Sequence, residues 1–137
     1  MSARIICVAQ QKGGAGKTTL VSNLAIAYLA AGKSVGLLDT DPQGSLGKWL
    51  DIREEMLGLN PKLRFATATP YGISRAIRTV GNEADVILID TPPKADSDVR
   101  WVLRIWCWCR YRPVRPMFGR PMTYWIWPSG RRNRRIS

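Results

Sequence analysis

Two lysines, Lys12 and Lys17, enclose a run of small residues in the segment QQKGGAGKTT, residues 10–19. Three of the enclosed residues are glycines: Gly13, Gly14 and Gly16. Glycines let a backbone adopt positive φ and approach a ligand closely, so that N–H groups and a helix N-terminus can face a phosphate. In such a loop Lys17 would reach the β- and γ-phosphates, and the Thr18 hydroxyl would hold Mg²⁺. The segment therefore predicts a site for a nucleoside triphosphate.

The loop does not follow the ordinary phosphate-loop pattern G-x-x-x-x-G-K-[ST], which would require glycine at position 11. Gln11 stands there, and the pattern present is K-G-G-x-G-K-[ST]. The additional lysine, Lys12, is therefore the feature that needs an explanation.

Apolar runs typical of buried strands alternate with helical patterns along the first 98 residues. The predicted strands are residues 4–10, 34–41, 63–68 and 84–90, and the predicted helices are residues 18–32, 45–57 and 71–81. The helix at 45–57 is amphipathic, with four apolar residues expected on its inner side: Leu46, Trp49, Leu50 and Met56. This alternation predicts an α/β fold in which helices flank both faces of a parallel sheet.

Polar residues stand at the ends of the predicted strands. Right-handed crossovers place the carboxyl ends of parallel strands at one edge of the sheet, where open α/β sheets bind ligands. Gln10, Asp39, Asp41 and Asp90 are therefore expected to converge there.

Three motifs together resemble the ParA/MinD family of deviant Walker A ATPases. They are KGGAGKTT in the glycine loop, LLDTDPQGS at residues 37–45 and VILIDTPP at residues 86–93, in the order of the family. The resemblance covers residues 4–98 and is closest to the small partition-type ParA proteins, because no helix-turn-helix pattern precedes the first strand. It implies a P-loop NTPase domain of the SIMIBI class over residues 1–98, in an incomplete form.

The resemblance also implies roles for particular residues. The nucleotide-binding residues would be Gly13, Gly14, Ala15, Gly16, Lys17, Thr18 and Thr19. Lys12, Lys17 and Asp41 would be catalytic, with Lys12 reaching the phosphates of a partner subunit and Asp41 lying near the attacking water. Thr18 and Asp90 would hold Mg²⁺. Asp39 is either a residue that supports this site from behind or simply a polar strand end.

As cofactors and partners, the resemblance implies ATP with Mg²⁺, an ATP-dependent homodimer, nonspecific DNA and a centromere-binding protein of the ParB type. The implied function is plasmid or chromosome segregation by a cytoplasmic, nucleoid-associated ATPase. No membrane partner is expected, because no stretch approaches the roughly 18 apolar residues that a membrane span needs. An iron–sulfur reductase that shares the loop is disfavoured, because Cys7 is the only cysteine in residues 1–98.

The formal charge of +11 is concentrated in residues 99–137. Residues 1–98 carry 11 basic and 10 acidic residues, whereas residues 99–137 carry ten arginines and no acidic residue. Five of the six tryptophans also fall in this tail. Arginine with interleaved aromatics is typical of nucleic-acid binding, so a non-enzymatic basic DNA-binding fragment is the alternative function.

The tail also departs from the family pattern, in which an apolar strand is expected soon after residue 98. A tail rich in Arg, Trp, Pro and Cys is what GC-rich codons give in a shifted frame. A frameshift near codons 99–105 is therefore a hypothesis, and an inactive truncated product of a longer ATPase gene is a further alternative. On this hypothesis the sheet lacks its later strands, and one edge of it is expected to be unpaired.

Overall fold

The structure is a computed structural model of the 137-residue chain. It describes residues 3–9, 14 and 16–93, together with the backbone of residues 124–127. The strands are β1 (Arg4–Val8), β2 (Val35–Asp39), β3 (Leu63–Thr67), β4 (Val86–Asp90) and β5 (Tyr124–Trp127). The helices are α1 (Lys17–Ala30), α2 (Ser45–Leu57) and α3 (Ile73–Gly81), the last preceded by a 3₁₀ turn at Pro70–Gly72.

Four of the strands form a parallel sheet in the order β3-β2-β4-β1. Every strand and helix predicted from the first 98 residues is present, with strand ends one or two residues shorter than predicted. The α/β prediction is confirmed. In the described part of the chain, no helix is long and apolar enough to cross a membrane.

β5 was not predicted from the sequence. It pairs antiparallel with β1, with Ile5 opposite Trp127 and Val8 opposite Tyr124. The β1 edge of the sheet is therefore covered by a strand from the tail, whereas β3 pairs only with β2 within the described residues. The rest of residues 99–137, including the proposed frameshift region, lies outside the described residues.

The two faces of the sheet carry separate apolar clusters, which explains why the central strands are apolar at nearly every position. α1 and α2 cover one face, where the cluster includes Val8, Val21, Leu37, Leu46 and Leu88. α3 covers the other face, where the cluster includes Ile5, Leu38, Ile73, Val80 and Ile87. Successive side chains of β4 thus alternate between the two clusters.

The predicted inner side of α2 is partly wrong. Leu46 and Leu50 are buried and Trp49 packs against the same cluster, but Met56 is 75 % exposed. Met56 lies in the last turn of α2, and no residue of the helix after Leu50 is buried.

Close packing between β2 and α3 depends on Gly36. A Cβ atom at this position would lie 2.9 Å from the carbonyl oxygen of Val80 and 3.1 Å from its Cβ. Glycine therefore lets α3 approach β2 closely.

Candidate functional site

The carboxyl ends of the central strands are level with one another. Val8 is the register partner of Asp90 across β1 and β4, and Asp90 is the partner of Asp39 across β4 and β2. Asp39 is in turn paired with Thr67 of β3. The two aspartates therefore lie side by side at one edge of the sheet, as the sequence predicted. Asp39 is 2 % exposed and Asp90 is 1 % exposed.

Two buried threonines fasten these strand ends together. The Thr40 N–H and hydroxyl both donate to the Asp90 carbonyl, at 3.0 and 2.7 Å. The Thr91 hydroxyl donates to the Val8 carbonyl at 2.8 Å. Neither threonine was predicted as a site residue, although each directly follows a strand-terminal aspartate in a repeated Asp-Thr pair that could have identified it.

The glycine loop leads into α1 through left-handed backbone. Gly14 has φ +68° and Gly16, the residue before the helix, has φ +77°, a region that favours glycine. The carbonyl of Gly16 accepts the first helical hydrogen bond, from the Leu20 N–H at 2.9 Å. The free N–H groups of the first turn of α1 therefore begin at Lys17. Lys17 is buried, with only 7 % of its surface exposed.

The first turn of α1 is joined directly to the end of β4. The Thr18 hydroxyl donates to Oδ2 of Asp90 at 2.5 Å. The structure thus brings together the two residues that the sequence analysis assigned to Mg²⁺, one at the start of a helix and one at the end of a strand.

The surroundings of Asp90 disfavour its charged form. Burial raises its pKa from 3.8 to about 6, and the neighbouring charges of Asp39 and Asp41 also raise it. The Thr18 hydrogen bond and the charge of Lys17 act in the opposite direction and lower the pKa. Oδ1 of Asp90 is buried and has no hydrogen-bond partner among the described residues.

A buried carboxylate oxygen without a partner fits a divalent cation, since the cation would satisfy it and favour the charged form. The described residues contain no cluster of three or more His, Cys, Asp or Glu side chains that could hold a metal alone. Mg²⁺ is commonly held by one or two protein oxygens together with phosphates and water. The Thr18 and Asp90 pair fits this kind of site.

Asp39 fixes the segment that carries Asp41. Oδ1 of Asp39 accepts the Asp41 N–H at 2.9 Å, and Oδ2 faces the Gly47 N–H in α2 at 3.4 Å. Oδ1 of Asp41 accepts the Gln43 N–H at 2.9 Å, which closes a turn leading into α2. Asp39 is therefore bonded to the loop between β2 and α2, and Asp41 is half-buried beside it.

The other predicted site residues are placed in part. Thr19 is exposed in the first turn of α1, and its carbonyl accepts the Ser22 hydroxyl at 2.9 Å. Lys12, Gly13 and Ala15 lie outside the described residues, as does Gln10.

Cys7 lies in β1, beside the site but inside the sheet. Burial raises the pKa of its thiol to about 12, and the charge of Asp90 adds to this shift. The thiol is therefore protonated at neutral pH and does not provide a thiolate nucleophile.

Two relatives of known name each match about two thirds of the chain. It is 40 % identical over 94 residues to the maintenance of carboxysome distribution protein A of Gloeobacter kilaueensis, a match covering 69 % of this chain and 41 % of that protein. It is 37 % identical over 116 residues to the chromosome-partitioning ATPase Soj of Thermus thermophilus, covering 66 % of this chain and 46 % of that protein. The chain spans about half the length, or less, of the curated relatives that it matches.

Solved structures share the fold. Cobyrinic acid a,c-diamide synthase from Mycobacterium smegmatis with bound ADP and magnesium aligns with a TM-score of 0.56 and 26 % identity, over 71 % of this chain and 54 % of that chain. The pNOB8 ParA bound to nonspecific DNA aligns with a TM-score of 0.55 and 23 % identity, over 74 % of this chain and 50 % of that chain.

The sequence profile of one family covers residues 6–98, which include the end of β1, the glycine loop, both strand-end aspartates and all three helices. That match is consistent with the resemblance first seen in the three motifs. The chain belongs to the family of the CobQ/CobB/MinD/ParA nucleotide-binding domain.

Proposed function

We propose that this chain is a partition-type ATPase that binds Mg·ATP at the carboxyl edge of its sheet, dimerises on ATP and hydrolyses it slowly. The observation that carries the proposal is the hydrogen bond between Thr18 and Asp90, with Oδ1 of Asp90 left unpaired. This bond between a helix start and a strand end supports Thr18 and Asp90 as the residues that would hold a phosphate-bound Mg²⁺.

For nucleotide binding, the glycine loop and the first turn of α1 provide the N–H groups. Residues Gly13, Gly14, Ala15 and Gly16 would surround the phosphates, with Thr18 and Thr19 in the first helical turn. Lys17, placed at the start of α1, would be the main cation for the β- and γ-phosphates. Bound Mg²⁺ would supply charge neutralisation of the phosphates, held by Thr18 and Asp90.

Hydrolysis would depend on Asp41 and on the residue that positions it. Phosphoryl transfer requires mainly positioning and neutralisation of charge, so the absence of histidine from the sequence is no obstacle. Asp41 would orient the attacking water. Asp39 would hold the Asp41 backbone through the hydrogen bond at 2.9 Å.

Lys12 would act across a dimer. Two lysines five positions apart repel each other unless the negative charge of a triphosphate lies between them. If each subunit donates its Lys12 to the nucleotide of the partner subunit, association depends on ATP. Such a role would explain the second lysine of the loop.

The relatives carry names that include chromosome partitioning and carboxysome distribution. Both names describe the distribution of a large cellular body, which supports ATP-driven positioning of a cargo as the biological role. Plasmid or chromosome segregation is the specific form proposed. Nonspecific DNA in the nucleoid and a ParB-type centromere-binding protein are the proposed partners of the ATP-bound dimer.

Phosphate release under saturating Mg·ATP tests the catalytic part. We expect Asp41→Ala to lower the rate about a hundredfold or more, as loss of a group that positions the nucleophile does, while Mg·ATP binding is retained. Asp51→Ala, which removes an exposed carboxylate from α2, is the matched control and should leave the rate unchanged. Equal rates for Asp41→Ala and the wild type would refute the assignment.

A further inference from the structure

A groove lies between the carboxyl end of β3 and α3, on the far side of β2 from Asp90. It has a volume of about 340 Å³ and is bordered by residues 66–69 on the strand side. On the other side it is lined by residues spaced three or four apart along one side of α3 and the turn before it: Gly72, Arg75, Ala76 and Thr79. Most of the lining side chains are small, which leaves room for the side chains of a partner.

The strand beside this groove has an open edge. In the described part of the chain, β3 pairs with β2 alone. The Ala68 N–H donates to the Asp39 carbonyl at 2.9 Å, and the Lys62 carbonyl accepts the Val35 N–H at 2.7 Å, so the even-numbered residues of this segment face β2. In a parallel ladder the intervening residues point their backbone groups the other way. The N–H and C=O groups of Phe65 and Thr67 therefore point away from β2, toward the open edge of the sheet.

The same surface is basic. Arg75 and Arg78 lie one helical turn apart on α3, both exposed, and within the described residues neither forms a salt bridge. The nearby Arg64 is paired with Glu83 at 2.6 Å. Arg75 thus provides an uncompensated guanidinium within the groove, a group suited to a carboxylate.

We propose that β3 and the groove bind an extended acidic peptide segment of a partner protein, which adds a strand to the sheet. Phe65 and Thr67 pair with its backbone, and Arg75 pairs with an acidic side chain that enters the groove. This is strand addition, in which backbone hydrogen bonds give affinity and side-chain pockets give specificity. A second copy of this chain paired through β3 is disfavoured, because it would bring two basic surfaces together.

The test uses the full chain without nucleotide, so that its outcome is independent of the proposed ATPase function. The probe is a fluorescein-labelled peptide of sequence Thr-Val-Glu-Val-Glu-Val-Thr, and its binding is followed by fluorescence anisotropy. We expect Arg75→Gln to weaken binding about tenfold, as loss of a charge-assisted hydrogen bond does. Lys48→Gln, an exposed change on α2 on the opposite face of the sheet, is the matched control and should leave affinity unchanged.

Two further probes separate charge from backbone pairing. Replacing both Glu of the peptide by Gln should also weaken binding about tenfold, and methylating alternate backbone nitrogens should abolish it. Hydrogen exchange at the Phe65 and Thr67 amides should slow when the acidic peptide is bound. Absence of binding at millimolar peptide, equal affinity for the Glu and Gln peptides, unchanged affinity in Arg75→Gln, or a β3-mediated dimer in sedimentation would each overturn the proposal.

Discussion

The Thr18 hydroxyl and the Asp90 carboxylate are joined by a hydrogen bond of 2.5 Å, although 72 positions separate them in the chain. This bond fixes the first turn of α1 against the end of β4. Because Asp90 keeps one buried oxygen unpaired and a raised pKa, the site carries an electrostatic cost when no cation is present.

The first prediction concerns that cost. We expect Asp90→Asn to increase the free energy of unfolding at pH 7.5 in the presence of EDTA, by on the order of 2 kcal/mol. The amide removes the buried charge and can still accept the Thr18 hydrogen bond through its oxygen. Chemical denaturation measures the change, with Asp51→Asn on the exposed side of α2 as the control. An equal or lower stability of Asp90→Asn would contradict the electrostatic explanation.

The second prediction concerns pH. Because the pKa of Asp90 in the folded protein is raised from 3.8 to about 6, the folded state holds a proton in this interval that the unfolded state has released. The contribution of Asp90 to stability therefore falls as the pH rises from about 4 to about 6, and the loss persists above that interval. The stability advantage of Asp90→Asn over the wild type should grow across the same interval. A difference independent of pH would refute the shift.

The third prediction concerns Asp39 as the residue that positions Asp41. Asp39→Ala should speed hydrogen exchange at the Asp41 and Gly47 amides, since both face its carboxylate. Asp39→Asn retains one acceptor and should restore protection at Asp41 in part. Exchange at the Gln43 amide, which is bonded to Asp41, serves as an internal comparison. Unaltered exchange at Asp41 in Asp39→Ala would show that Asp39 is only a polar strand end.

The fourth prediction concerns packing of α3 on the sheet. Gly36→Ala should destabilise the protein by about 1–3 kcal/mol, as overpacking does, because its Cβ would lie 2.9 Å from the Val80 carbonyl oxygen. Gly47→Ala is the matched control, since its Cβ would meet Phe65 only at 3.3 Å and it gains helix propensity. Thermal unfolding compares them, and similar stability of the two variants would be the contrary result.

The fifth prediction concerns Lys12. Lys12→Ala should leave Mg·ATP binding by the monomer nearly intact and abolish ATP-dependent association. Sedimentation with a slowly hydrolysed ATP analogue measures the dimer fraction. Lys33→Ala, an exposed lysine beyond the end of α1, provides the control. An unchanged dimer fraction in Lys12→Ala would refute a role across the dimer.

The sequence predicted the parallel sheet and the convergence of Asp39, Asp41 and Asp90, because apolar strands capped by aspartates follow a strict alternation with helices. It missed Thr40 and Thr91, whose hydroxyls matter only once the strand ends are in register. It also missed β5, since Tyr124–Trp127 is short and lies in a segment without a clear period. The exposure of Met56 was missed because helical spacing shows which side of α2 faces inward but not how far along the helix the burial continues.

Isothermal titration of the full chain and of Lys17→Ala with Mg·ATP tests the central claim most directly. A charge-assisted hydrogen bond contributes on the order of 1.5–3 kcal/mol, so Lys17→Ala should weaken binding at least about tenfold. Lys48→Ala, an exposed lysine on α2, should bind as the wild type does. Equal affinity in Lys17→Ala and the wild type, or no binding by the folded wild-type chain, would contradict a nucleotide site at the start of α1.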